Sequence, residues 1–154
     1  MKSIVAKNIE GGFNIAVVVS RFNEPVTEKL LECALERLSE LEFSADKITV
    51  VHVPGAVELP IVAQRFAKAG NVDAVVCLGA VIRGETTHYD YVCNQASEGC
   101  QRVALDYDLP VVFGVLTTEN KAQALARVGG KHGHKGSDAI DAAYEMVSVL
   151  KQIS

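Results

Sequence analysis

The stretch Arg83-Gly84-Glu85-Thr86-Thr87-His88 follows an apolar run, Ala74 to Ile82, with backbone amides, two hydroxyls and an imidazole in quick succession. Amides and hydroxyls at a helix start bind anions, because the first N–H groups have no partner inside the helix and carry partial positive charge. His88 stands where the next helix begins, and an imidazole is a candidate for proton transfer. A lone histidine at a helix start is more often a surface cap, so position alone leaves both roles open.

Three other strand ends carry chemistry of their own. Phe22, in Ser20-Arg21-Phe22-Asn23, is either a lid on the core or a face on which a planar ligand stacks. In Pro54-Gly55-Ala56-Val57-Glu58-Leu59-Pro60 the small residues let backbone approach a ligand. Glu58 there either complements a helix dipole or accepts hydrogen bonds from hydroxyl groups. Arg127 and Lys135 straddle Gly129-Gly130 and together would clamp a phosphate, the arginine through its planar fork and the lysine as a point charge. Neither G-x-x-x-x-G-K-[ST] nor G-x-G-x-x-G occurs, which argues against an NTPase or a dinucleotide-binding domain.

The elements that hold these residues alternate. Apolar runs at Ile15 to Ser20, Ile48 to Val53, Ala74 to Ile82 and Val111 to Leu116 predict four buried strands. Ser3 to Ala6, ahead of Gly11-Gly12, reads as an N-terminal edge strand or as an arm that pairs with another subunit. Leu30, Leu31, Ala34, Leu35, Leu38 and Leu41 form one helical stripe, with Pro25 in the first turn where proline is tolerated. Leu59, Val62, Ala63 and Phe66 mark a second helix, and Val92, Cys93, Ala96, Cys100, Val103 and Ala104 a third that starts at or near His88. A short fourth helix over 121–128 carries Arg127 and stops at Gly129-Gly130; a last helix runs from about Gly136 to Gln152. Strands alternating with helices predict a three-layer α/β/α domain over residues 1–154, with a central, mainly parallel four-stranded sheet in a flavodoxin-like order.

Composition narrows the partners. A chain of 154 residues with 49% apolar and 22% charged residues suits one soluble globular domain. A net charge of −4 argues against nucleic acid, which calls for clustered lysine and arginine. No apolar window reaches the ~18 residues of a membrane span, and charge interrupts the first residues before a secretion signal could form. The cytoplasm is the expected compartment. Cys33, Cys77, Cys93 and Cys100 lack C-x-x-C spacing and sit in apolar patterns, as reduced core thiols do, so no zinc site is expected.

Five blocks, S-R-F-N at 20–23, P-G-A-V-E-L-P at 54–60, L-G-A-V-I-R-G-E-T-T-H-Y-D-Y at 78–91, F-G-V-L-T-T at 113–118 and G-K-H-G-H-K-G at 130–136, resemble the lumazine synthase family. The likeness spans nearly the whole chain in matching order. It implies a cofactor-free and metal-free condensation of 5-amino-6-(D-ribitylamino)uracil with L-3,4-dihydroxy-2-butanone 4-phosphate. Phosphate and water leave, and the product is the lumazine precursor of riboflavin.

The same resemblance implies the roles. Phe22 stacks on the pyrimidine; Ala56, Val57, Ala80, Val81 and Ile82 line its edge; and Glu58 accepts from the ribityl chain. The main chain of Glu85 and Thr86 meets the phosphate with Arg127, His88 transfers protons, and Lys135 orients nearby polar groups. Phe113, Arg127 and Lys135 would come from the neighbouring subunit of a pentamer. The short turn from Gly129 to Gly136 is similar to that of the members that build sixty-subunit shells, for which riboflavin synthase is the partner. Glu85 departs from the Gly or Ala of many members, so its carboxylate is expected to point outward while its amide binds. His132 and His134 replace residues that are often small or amide.

Two readings from other classes stand beside this one: a non-catalytic flavin or lumazine binder, and a phosphate-sensing or flavodoxin-like regulatory domain.

Overall fold

The computed structural model describes residues 1–153. Four strands, β1 (Ile15–Ser20), β2 (Ile48–Val53), β3 (Ala74–Ile82) and β4 (Val111–Thr118), form one parallel sheet in the order β2-β1-β3-β4. Helices α1 (Glu24–Glu40), α2 (Leu59–Ala69) and α3 (His88–Tyr107) make the crossovers that parallel strands require. This is the expected flavodoxin-like order.

Two cores follow from the period of two in a strand that is buried on both faces. Ile15, Val17 and Val19 turn to one side and pack with Leu30, Ala34 and Leu38 of α1 and with Ile140, Ala143 and Val147 of α5 (Lys135–Gln152). Ala16 and Val18 turn to the other, against Leu59 and Ala63 of α2 and Ala96, Cys100 and Val103 of α3. The sheet is therefore the middle of three layers. Cys77 and Cys100 are buried in the second core, Cys33 and Cys93 are half-buried, and all four thiols are free.

Three details differ from the sequence expectation. Ser3 to Ala6 forms no strand. The arm lies along α5 instead, where Lys7 N–H donates to Ser148 Oγ (2.7 Å), Ile9 N–H to the Tyr144 hydroxyl (2.6 Å) and Gln152 Nε2 to Val5 O (2.8 Å). Side chains of α5 thus pair the amides of Lys7 and Ile9 and the carbonyl of Val5. β4 runs two residues further, to Thr118.

The fourth helix, α4, is shorter than expected at Lys121–Leu125, and Arg127 lies outside it. Val128–Gly130 (β5) doubles back against Gly133–His134 (β6) as an antiparallel pair, with Gly129 and Gly133 at φ of 93° and 81° in the left-handed region that glycine adopts without strain. Bonds from His132 N–H to Ala126 O and from Lys135 N–H to Arg127 O, both 2.8 Å, close the hairpin. Among the described residues no helix is long and apolar enough to cross a membrane.

Candidate functional site

Register creates a ledge at the carboxyl end of the sheet. β1 and β2 finish together at Ser20 and Val53, and the last pairing of β1 with β3 is Val19 with Leu78. β3 continues beside β4 alone, up to Ile82 opposite Thr118. Ala80, Val81 and Ile82 therefore overhang the end of β1 by roughly 10 Å at ~3.3 Å per residue. Main-chain groups of a parallel strand alternate sides, and Arg83 N–H faces β4 through its bond to Thr118 O (2.9 Å). Ala80 and Ile82 consequently turn their amides and carbonyls to the open side. Asn23 Nδ2 takes Ala80 O at 2.8 Å, and the Ile82 groups face the space that β1 has vacated.

The exit of β1 is tied to that of β2, with Arg21 N–H on Val53 O (2.8 Å) and Phe22 N–H on Pro54 O (3.0 Å). Phe22 is 71% exposed, so it is no lid on the core; its ring is an open face beside the ledge. Ala56–Glu58 form a single 3₁₀ turn that leads into α2. Ala56 is buried and Val57 half-buried, while the half-buried Glu58 makes no capping bond; its Oε1 folds back to 3.3 Å from where a Cβ on Gly55 would stand. That carboxylate keeps its acceptor capacity for a ligand. Under the ledge, the Ser20 hydroxyl is buried without a partner, and a Cβ on Gly79 would meet it at 2.8 Å. Only glycine allows that approach.

On the far side of β3 the residues from Arg83 to His88 are all exposed, Glu85 included. Thr86 Oγ1 accepts the His88 N–H at 3.3 Å and so secures the first residue of α3. Against the last four residues of β4, Val115–Thr118, lies a cavity of about 310 Å³ whose other walls are Arg127, His132, Lys135 and Asp138. Arg127 is held there by a bond from Nη1 to Gln123 O at 2.7 Å. Asn23, Thr117, Thr118, His132 and Asp138 join the site only in the structure. Asp138 had a detectable signal, since it follows Lys135 by three positions and so shares a helical face with it. Asn23 had none, because its partner is 57 residues away.

His134 accepts from Gly136 N–H at 3.1 Å through Nδ1 and thereby caps α5, the helix that carries Lys135. Burial lowers its pKa below 6.5, while Asp138, Glu36 and Glu32 act in the opposite direction. Burial also raises the pKa of Tyr89, which follows His88, and keeps it a neutral phenol.

One expected member stands apart. Phe113 pairs with Cys77 in mid-sheet, five residues before the end of β4, or roughly 16 Å at ~3.3 Å per residue. It is half-buried against the α2–α3 core, and a single chain does not bring it to Phe22. The chain thus gathers Phe22, Ala56–Glu58 and Ala80–Ile82 on one wall, sets Glu85, Thr86 and His88 on the adjoining loop, and holds Arg127 and Lys135 in the cavity against the end of β4. His88 is not part of that cavity's wall. Among the described residues no cluster of three or more His, Cys, Asp or Glu is placed to hold a metal ion.

The family sequence model described as 6,7-dimethyl-8-ribityllumazine synthase matches residues 12–151. A protein of that name from Coxiella burnetii (strain Dugway 5J108-111) is 58% identical over 144 residues, covering 94% of this chain and 95% of its own. One from Salinibacter ruber is 51% identical over 142 residues, covering 92% and 91%.

Proposed function

The chain belongs to the 6,7-dimethyl-8-ribityllumazine synthase family and is an enzyme, a transferase acting on small molecules, and we propose that the carboxyl end of its sheet carries the reaction. It condenses 5-amino-6-(D-ribitylamino)uracil with L-3,4-dihydroxy-2-butanone 4-phosphate in riboflavin biosynthesis, releasing phosphate and water. The observation that carries the assignment of the site is the overhang of Ala80–Ile82, with the exposed Phe22 ring at its open side and the His88 loop at its end.

A pyrimidine edge bonds to the free main-chain groups of Ile82 much as another strand would, while Phe22 covers its face. Ala56 and Val57 leave room, and the main chain of Val81, paired with β4, holds the ledge in place while its side chain packs in the α2–α3 core. Glu58 accepts from the ribityl hydroxyls. The butanone phosphate meets the amides of Glu85 and Thr86, with the Glu85 carboxylate out in solvent, and Arg127 neutralises its charge. Lys135 orients the polar groups around it.

The amine of one substrate attacks the ketone of the other. His88 moves protons as the carbinolamine loses water, as phosphate is eliminated and as the ring closes with loss of a second water. No covalent nucleophile is needed, because an amine and a ketone react once held together; orientation contributes up to about 7 to 11 kcal/mol in favourable cases and a general acid–base typically ~10² to 10⁴-fold.

The protein acts as a homo-oligomer in the cytoplasm, a pentamer or a shell of twelve pentamers, in which Phe113, Arg127 and Lys135 complete a neighbour's site. The mid-strand position of Phe113 on the edge strand β4, beside half-buried Val111 and Val112, supports this division. A shell would have riboflavin synthase as its partner. Sedimentation of the purified protein distinguishes pentamer from shell. Mixing the protein with both substrates gives lumazine absorbance and stoichiometric phosphate; no product above the uncatalysed background would sink the enzymatic reading.

A further inference from the structure

Arg83 is the one residue of the exposed 83–88 loop whose side chain reaches back into the rest of the fold. Its Nε donates to Glu119 Oε2 at 2.7 Å, Nη2 to Asp90 Oδ1 at 3.4 Å, and its guanidinium carbon lies 4.3 Å from the centre of the Tyr89 ring. Its own N–H is bonded to Thr118 O (2.9 Å). One residue thereby joins the end of β3, the β4–α4 turn and the first turn of α3, where His88 sits.

The anchor at Glu119 is itself fixed. Glu119 N–H donates to Gln123 Oε1 (2.8 Å), Asn120 Oδ1 accepts Gln123 N–H (2.9 Å), and Gln123 O accepts from Arg127 (2.7 Å). A continuous path of hydrogen bonds therefore runs from Arg127 through Gln123, Glu119 and Arg83 to Asp90, two residues beyond His88. Isolated exposed ion pairs contribute little to stability. Holding geometry is a different task, and a planar guanidinium serving two carboxylates over an aromatic ring has few orientations left to it.

We propose that Arg83 is a positioning residue for the reaction assigned above, tethering the Glu85–His88 segment so that its amides and imidazole keep their places relative to the ledge. The inference rests on that assignment. Arg83 is not a phosphate ligand: its charge is matched by Glu119 and Asp90, and the phosphate is left to loop amides and Arg127.

Arg83→Met and Glu119→Gln, each checked for retained fold by circular dichroism, test the tether from its two ends. Both are expected to raise KM for the butanone phosphate and lower kcat, each on the order of tenfold for a displaced catalytic loop. KM for the pyrimidine stays within about twofold, because the β3–β4 ladder is untouched. Arg83→Lys, which reaches only one carboxylate, recovers part of the loss. Hydrogen–deuterium exchange at residues 84–90 speeds up in both variants without a change elsewhere in the sheet.

A phosphate-ligand role makes the opposite prediction for Glu119→Gln: freeing the guanidinium would tighten KM. That result, unchanged exchange in the loop, or equal rises in both KM values overturns the proposal. Absence of product from the wild-type protein would remove the enzymatic reading instead, and the exchange measurement would still decide whether Arg83 tethers the loop.

Discussion

On one side of the site the wall is main chain: Ala80–Ile82 are a strand in register with β4, and their free groups point wherever the sheet points. On the other side the proposed chemistry rides on side chains carried by turns, with Arg127 between α4 and β5, Lys135 at the first turn of α5 and His88 at the first turn of α3. The ladder holds the ledge at no extra cost in side-chain entropy. The charged side needs tethers, namely Arg83 on Glu119 and Asp90, Arg127 on Gln123 O, and His134 on the start of α5. The contrast suggests that the pyrimidine half tolerates substitution of side chains, whereas the phosphate and proton-transfer half depends on individual residues.

That contrast can be broken at four places, the largest effect first. His88→Ala should lower kcat by ~10² to 10⁴-fold, the usual worth of a general acid–base, while leaving product formation above background because the ledge still orients the amine. A variant with wild-type kcat between pH 6 and 8 would remove His88 from the chemistry. Arg127→Ala should raise KM for the butanone phosphate by roughly 10- to 100-fold, as loss of a charge-assisted hydrogen bond does. If the change fell on the pyrimidine alone, the phosphate assignment would be lost.

Phe22→Ala tests the other half and should cost less, about 2- to 10-fold in KM for the pyrimidine, since stacking adds ~0.5 to 1.5 kcal/mol and the main-chain ledge remains. An effect as large as that of Arg127→Ala would erase the distinction between the two sides. The smallest effect concerns His134. Its folded pKa lies below the ordinary 6.5, so the unfolded chain takes up a proton first as pH falls. The stability from its cap is thus fully present above about 6.5 and is lost as pH drops through the lower folded value. Unfolding free energies from denaturant titrations at pH 7.5 and 5 should differ by about 1 kcal/mol from this cap. In His134→Asn, which caps without titrating, that portion of the slope should vanish; an unchanged slope would assign the pH dependence to other groups.

The local rules went far. Apolar runs marked β1 and β3 to the residue, because a strand buried on both faces excludes polar side chains and polar turn residues end it, and the β-branched run Ile48–Val53 marked the half-exposed edge strand β2. The helical stripe and early Pro25 marked α1, and the change from apolar run to hydroxyls and histidine marked the start of α3. The same rules failed at Val128–His134, where glycine was read as a helix stop although two of those glycines permit a hairpin. Of the two expectations for Ser3–Ala6, the edge strand does not form within the chain, where neighbouring main chain bonds to α5 instead.

By itself, then, the sequence determined the layers, the element order and the residues at each strand end, all of which follow from side-chain periodicity and turn chemistry within about twenty neighbouring positions. Only the tertiary structure decided the overhang of β3, the bond of Asn23 to Ala80, the Arg83 contacts, the walls of the cavity against β4 and the separation of Phe113 from Phe22. Each of these depends on register or on a hydrogen bond between residues dozens of positions apart. Register is a property of two strands at once, and no pattern within one strand records where its neighbour stops.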